Sequence, residues 1–184
     1  MNLVKVETRQ DLERFVRLPW KVYQDQPCWV PPLIGERIKF LSPDINPFFE
    51  HAEVELFLAV DASQSAVGRI ALIHDRSYEE LYAEPVGMFG MFETVDDPNV
   101  SRLLLDKAYQ WCLDKGFVRL MGPMNLSTNH ECGLLIEGFD SPSMIGIPYN
   151  PKYYETHFEA WGLQKAKDLL SMRLDLIKVP DYLE

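Results

Sequence analysis

The hydrophobic pattern changes period several times along the chain, and each change marks an element. Residues 3–7 (Leu-Val-Lys-Val-Glu) alternate apolar and polar side chains, the period of a strand with one buried face. Thr8 then stands in cap position with Asp11 three residues on, as in a capping box, and Leu12, Phe15, Val16 and Val22 follow at helical spacing. Pro19 falls inside that pattern, so the helix is expected to kink or divide there. Pro27, Pro31 and Pro32 make 26–32 an extended connection, and a short helix is predicted over 33–40, stopped by Ser42-Pro43 and Asn46-Pro47.

From Ala52 the pattern becomes that of strands. Segments 54–60 and 67–73 flank the polar turn 61–65 and read as an antiparallel hairpin. Segment 86–95, rich in aromatic residues and methionine, is a third strand. Asp97 as N-cap and Pro98 in first position open the clearest helix, with Val100, Leu104, Ala108 and Trp111 on one face and Gly116 at its end. A strand is predicted over 117–121, then a long polar, glycine-containing stretch, 122–149. Asn150 and Pro151 open a last helix carrying Tyr154, Phe158 and Trp161 on its apolar face and closed by Gly162. Residues 169–177 alternate as a final strand. The order β-α-α-β-β-β-α-β-α-β, without repeats or an interdomain linker, predicts one α/β or α+β domain over 1–184.

Composition narrows the function. The chain has 184 residues, 47% hydrophobic and 25% charged, which excludes a disordered chain. The formal net charge is −10, and it is uneven: residues 1–40 carry 7 basic and 5 acidic groups, 41–100 carry 2 and 12, and 101–184 carry 9 and 11. A nucleic-acid partner, which needs a basic face for phosphate, is not expected. Cys28, Cys112 and Cys132 form no CxxC pair, and His51, His74, His130 and His157 are scattered, so no metal site is expected. No apolar run approaches the ~18 residues of a membrane span, and the first residues lack a signal-peptide core, so a cytoplasmic protein with no membrane partner is expected. Trp20, Trp29, Trp111 and Trp161 read as core.

Several segments resemble the GNAT acyltransferase superfamily: the front hairpin, the strand Met88-to-Val95, the helix ending Lys115-Gly116-Phe117, and the closing Asn150…Tyr154…Phe158…Trp161-Gly162-Leu163. More narrowly, Gly122-Pro123-Met124-Asn125-Leu126-Ser127-Thr128-Asn129, Glu131-Cys132-Gly133-Leu134 and Pro148-Tyr149-Asn150-Pro151 resemble the N-terminal half of a group of longer bacterial GNAT-like proteins. The resemblance implies a mixed, mostly antiparallel central sheet flanked by helices. It implies that this chain is one half of a longer protein, ending in the connection Lys178-Val179-Pro180-Asp181, with a second GNAT-like half or a second copy as partner.

The activity implied is transfer of an acyl group from acetyl-CoA or another acyl-CoA to a small-molecule amine. In the superfamily the donor's pantetheine pairs with a splayed strand, here Met91, Phe92 and Glu93. Its pyrophosphate rests on a Gly-rich loop opening the following helix. This chain has Glu93-Thr94-Val95-Asp96-Asp97-Pro98-Asn99-Val100-Ser101-Arg102 there, without a glycine and with three carboxylates. The N–H groups of Val100 and Ser101 and the Arg102 side chain are the groups left for the diphosphate. The tyrosine that many members place four residues before the glycine ending the last helix is Phe158 here; Tyr154, one turn earlier on the same face, and the adjacent His157 are the candidates to replace it as proton donor, Tyr154 the one taken forward. Glu93 is a candidate base for an ammonium acceptor. Asn125 joins Glu93 and Tyr154 as a candidate catalytic residue. Ser127, Asn129, His130 and Glu131, in the polar cluster after the central strand, are expected to line the substrate site. Two alternatives follow from the acidic, glycine-free loop: a GNAT-derived binding or assembly domain without catalysis, and an acyltransferase that takes its acyl group from a carrier protein.

Overall fold

The computed structural model describes residues 1–172. Strand β1 (Asn2–Lys5) runs into α1 (Arg9–Arg17), whose start is fixed by Thr8: its hydroxyl accepts from the Asp11 N–H at 3.1 Å. Pro19 divides the helix as the sequence suggests, leaving α2 (Pro19–Val22) as a single turn. Then come α3 (Ile34–Phe40), a 3-10 turn over Pro47–Glu50, β2 (Ala52–Val60), β3 (Ala66–Asp75), α4 (Arg76–Tyr82), β4 (Val86–Thr94), α5 (Pro98–Lys115), β5 (Arg119–Met121), the short strands β6 (Met124–Asn125) and β7 (Glu131–Cys132), and α6 (Tyr153–Trp161). Five strands form one sheet in the order β1-β2-β3-β4-β5, antiparallel except for the β4–β5 pair.

Each face of the sheet is covered by its own apolar layer. Phe15 and Val16 of α1 and Ile38 of α3 pack with Leu58, Ala71, Ile73 and Met88 on one face. On the other, Leu104, Leu105 and Ala108 of α5 and Tyr154 and Phe158 of α6 pack with Ile70, Leu72 and Phe89. Helix α5 stops at Gly116, left-handed at φ 74°, where the Phe117 N–H reaches back to the Cys112 carbonyl at 2.9 Å. Phe117 thus belongs to the helix stop, and β5 begins two residues later than its apolar run suggests.

Several elements depart from the sequence expectation. Helix α4 has no buried residue, so no apolar stripe announces it; it is held by Asp75, whose carboxylate accepts from the Ser77 and Tyr78 N–H groups at 3.1 and 3.3 Å. Strands β6 and β7, two residues each, are too short to display a period. Asn150 does not cap α6, which starts at Tyr153; its carboxamide holds the backbone of Leu135 instead, at 2.7 Å to the N–H and 3.2 Å to the carbonyl. Of the predicted strand 169–177, residues 169–172 have no regular structure and the others lie outside the described residues.

The acidic middle third draws cations from the rest of the chain. Glu53 pairs with Arg76 at 3.1 Å and Lys115 at 2.8 Å, Glu55 with Lys5 at 2.6 Å, and Glu84 with Arg119 at 2.8 Å. These pairs are solvated and contribute at most about 1 kcal/mol each, so they neutralise the surface more than they stabilise it.

The feature that shapes the site is a bulge in β4. Ala71 faces Gly90 and Arg69 faces Glu93, so Met91 and Phe92 together oppose Ile70 alone. Before the bulge Met88 points to the α1 face and Phe89 to the α5 face; after it Met91 takes the α1 face and Phe92 the α5 face. The parity of the strand is thereby inverted, and Glu93 faces the α1 side, where a regular strand would turn it toward α5. At this point β4 loses its pairing with β5, and the backbone of Met124 crosses so near Gly90 that a Cβ there would collide with the Met124 carbonyl.

A Gly90→Ala substitution is therefore expected to destabilise the fold by about 1–3 kcal/mol, since the obstacle is backbone. Gly35→Ala, in α3 with open space around it, is expected to be neutral or slightly stabilising. Urea denaturation of both variants checks the contrast.

Candidate active site

Glu93 lies at the end of β4 with its side chain 12% exposed, in a cluster contributed by four separate segments. The Tyr154 hydroxyl, on α6, donates to Glu93 Oε2 at 2.8 Å and accepts from the Thr94 N–H at 2.8 Å. The Tyr153 hydroxyl next to it donates to the Thr94 carbonyl at 2.6 Å, so consecutive tyrosines of α6 seat the helix on the strand end. Arg69, paired with Glu93 across β3 and β4, places Nη2 3.5 Å from Oε1, donates from Nη1 to the Phe15 carbonyl at 2.8 Å, and lies over the Phe15 ring. Its Nε is buried without a partner. Tyr23, just beyond α2, donates to the Tyr149 carbonyl at 3.0 Å and also faces Glu93.

Burial dominates the electrostatics. It pushes the Glu93 carboxyl above the ordinary value of 4.5, against the opposing pull of Arg69 and of the hydrogen bond from Tyr154. Burial, reinforced by the charge of Glu93, holds the Tyr154 and Tyr23 hydroxyls well above the usual phenol range. Arg69 is lowered by its burial and supported by Glu93.

Beside the cluster is a small cavity of about 40 Å³, lined by Tyr23, Phe92, Glu93, Asn125, Glu131 and Tyr154 with Leu134, Tyr149 and Phe158. A larger cleft of about 320 Å³ lies between β1, α1 and β2. Its floor is Val6, Leu12, Phe49, Val54 and Leu56, and the rim residues Lys5 and Glu55 pair with each other. The smaller cavity is the one in which a desolvated carboxylate meets two tyrosines, groups able to exchange a proton.

The residues singled out from the sequence divide between this cavity and the frame around it. Glu93, Tyr154, Asn125, Phe92 and Glu131 line it. Asn125 accepts from the Met91 N–H at 2.8 Å and donates to Glu131 Oε2 at 2.9 Å, and Arg37 donates to Glu131 Oε1 at 2.7 Å. Ser127, Asn129 and His130 are not among its lining residues. They satisfy one another: the Ser127 hydroxyl accepts from the Asn129 N–H at 3.2 Å and lies 2.9 Å from His130 Nδ1, while the His130 ring stands edge-on to Phe40 and Phe48.

At the opening of α5 the first-turn N–H groups already have acceptors within the chain. The N–H of Asn99 donates to the Asp97 carboxylate at 2.9 Å, and those of Val100 and Ser101, expected to be free, donate to the Asp97 carbonyl at 3.0 and 3.3 Å. Val100 and Ser101 are buried; Arg102 is exposed, and the Asp96 and Asp97 carboxylates stand at the same end. Ser101 Oγ instead meets His157 Nδ1 at 2.7 Å, with His157 Nε2 3.5 Å from Asp96. Among the described residues no group of three His, Cys, Asp or Glu side chains is placed to hold a metal ion, and no helix is long and apolar enough to cross a membrane.

Tyr23, Arg69 and Arg37 were not singled out. Arg69 carried a signal, as the one cation in the apolar strand 67–73 and the register partner of Glu93 once the hairpin is extended to β4. Tyr23 and Arg37 look like ordinary members of helical segments and carried none.

The sheet, its helices and the break between β4 and β5 give the chain the fold of the GNAT acetyltransferases. It superposes with a TM-score of 0.56 on a ribosomal-protein-alanine N-acetyltransferase from Brucella melitensis, covering 95% of this chain and 100% of that one at 12% identity. With an aminoglycoside 6'-N-acetyltransferase from Acinetobacter baumannii the TM-score is 0.55 at 9% identity, over 95% and 97% of the two chains. No family model matches the chain. In sequence it is similar to the bacterial ceramide synthase of Caulobacter vibrioides, 38% identical over 180 residues, 95% of this chain and 46% of that protein. It is also 38% identical over 175 residues to protein YghO of Escherichia coli, covering 94% of this chain and 44% of that protein. The chain thus spans about half the length of the curated relatives it matches.

Because the folded-state value of Glu93 lies above the unfolded one, the folded state binds this proton more tightly. Its contribution to stability is full below the ordinary value of 4.5 and declines as pH rises through the raised value. The stability of the wild type relative to Glu93→Gln is therefore expected to fall as pH rises across that window, which urea denaturation at a series of pH values measures. An advantage that grows with pH would show that Arg69 and the tyrosines outweigh burial.

Proposed function

We propose that the chain carries the catalytic domain of an N-acyltransferase, which joins an acyl group from a thioester to a primary amine. The observation that carries the reading is the Glu93–Tyr154 pair, a desolvated carboxylate hydrogen-bonded to a phenol on the wall of one small cavity. The fold supports the reaction class. The name of the ceramide synthase relative supports a long-chain amino alcohol as acceptor, because a ceramide is the fatty amide of such a base.

The steps follow from the chemistry of the pair. The acceptor reaches the cavity as an ammonium ion and must lose a proton before its nitrogen can attack. Glu93, raised toward neutrality by burial, is a stronger base than a solvated carboxylate and takes that proton. The amine lone pair forms the N–C bond at the thioester carbonyl, and collapse of the tetrahedral adduct breaks the C–S bond. Tyr154 is placed to protonate the departing sulfur and to be reprotonated by Glu93 through their shared hydrogen bond. One proton of the ammonium ends on the thiol and one is released to solvent, which balances the reaction.

The filled first turn of α5 and its carboxylates favour a donor that does not rest a diphosphate there, such as an acyl group on a carrier protein. Incubating the full chain with a long-chain amino alcohol and either acyl-CoA or an acyl carrier protein, with amide formation followed by mass spectrometry, separates the donors. The expected result is amide formation, faster from the carrier, with Glu93→Gln slower by about 10²–10⁴-fold. No amide from either donor, or an unimpaired Glu93→Gln, contradicts the reading.

A further inference from the structure

The base of the proposed reaction stands beside Arg69 on the α1 side because β4 is bulged, and the bulge is not self-supporting. Met91 adopts φ 47°, a left-handed conformation that side chains other than glycine rarely take, and such a residue persists only where its surroundings over-determine it. The bulge also withdraws the Met91 N–H from the ladder with β3. That N–H donates to Asn125 Oδ1 at 2.8 Å. The other end of the Asn125 carboxamide donates to Glu131 Oε2 at 2.9 Å, and the second oxygen of Glu131 is held by Arg37 of α3 at 2.7 Å. Leu126, directly after Asn125, is itself left-handed at φ 91°, so strained backbone stands on both sides of the one contact that joins them.

We infer that Asn125 is a positioning residue for Glu93, pinning the β4 bulge through the Met91 N–H, and that Glu131 and Arg37 hold its carboxamide in the orientation that does so. The chain of contacts fixes which end of the carboxamide faces the strand. Glu131 accepts only from the NH₂ end, so the carbonyl end is left to take Met91. Without that acceptor the buried Met91 N–H is unpaired, and the strand gains by returning to regular pairing. Regular pairing turns Glu93 away from Arg69 and the α1 side. Asn125 and Glu131 therefore act through the strand, and the inference rests on the reading of Glu93 as the base.

The test uses Asn125→Leu, which fills a similar volume without an acceptor, Asn125→Asp, which keeps one, and Arg37→Gln, at a half-exposed position remote from the strand. Two measurements need no substrate: hydrogen exchange of the Met91 amide, and the titration of the Glu93 carboxyl by NMR. In Asn125→Leu, Met91 exchange is expected to accelerate by about tenfold or more. The Glu93 midpoint is expected to rise further, as the carboxyl leaves Arg69 and turns toward the apolar layer under α5. Arg37→Gln is expected to shift both in the same directions by less, and Asn125→Asp to retain the Met91 protection. With substrate, kcat of Asn125→Leu is expected to drop by about 100-fold with little change in the KM of the donor. Unchanged Met91 exchange and Glu93 titration in folded Asn125→Leu and Arg37→Gln overturn the assignment whatever the activity. If Asn125→Leu does not fold, Arg37→Gln alone decides. Shifted NMR readouts in a protein whose wild type forms no amide uphold the positioning and remove the acylation reading instead.

Discussion

One extra residue in β4 governs the rest of the site. A strand presents alternate side chains to opposite faces, so inserting a residue exchanges the faces of everything after it. The bulge at Met91 and Phe92 sends Phe92 into the apolar layer under α5 and α6, and it brings Glu93 into register with Arg69 on the α1 side. Two ionisable side chains are thereby confined at 3.5 Å with little water. At an effective dielectric of about 20 their attraction is roughly 5 kcal/mol, while each of the two ions gives up several kcal/mol of hydration, so the pair is not a net source of stability. Its consequence is chemical: a carboxylate held where a proton costs it little to accept.

The two tyrosines complete this arrangement from opposite sides of the sheet edge. Tyr154 arrives on α6 and binds both the strand end and the carboxylate, while Tyr23 arrives from the turn after α2. The acidity of the middle third, conspicuous as a charge deficit, resolves into ion pairs for Glu53, Glu55 and Glu84 and a buried partner for Glu93. Asp96 and Asp97 remain at the start of α5, where Asp97 caps the helix through the Asn99 N–H and Asp96 stands 3.5 Å from His157 Nε2.

Much of the fold was legible because its elements are long and one-sided. The hairpin of β2 and β3, the capped helix α5 and the stop at Gly116 follow from period and end signals that tertiary contacts reinforce. Helix α4 was not legible, since a helix without a buried face has no stripe to read. In the site, Glu93 and Tyr154 could be found from position along their elements, because each lies at the end of an element facing the same gap. The grouping of Asn125 and Glu131 with Arg37 could not, since it depends on a turn of the chain between 122 and 134 that carries no period. The bulge was invisible for a related reason: Gly90-Met91-Phe92 contains no polar residue whose misplaced side would betray a change of parity.

The central claim is that a buried Glu93 takes the proton of the amine. It is tested most directly by the pH dependence of kcat/KM for amide formation by wild type and Glu93→Gln. A raised carboxyl is protonated at higher pH than an ordinary one, so the account predicts an acid limb in the wild type with its midpoint above 4.5, and the disappearance of that limb in the residual activity of the variant. A limb that persists unchanged in Glu93→Gln would assign the titration to another group and contradict the account.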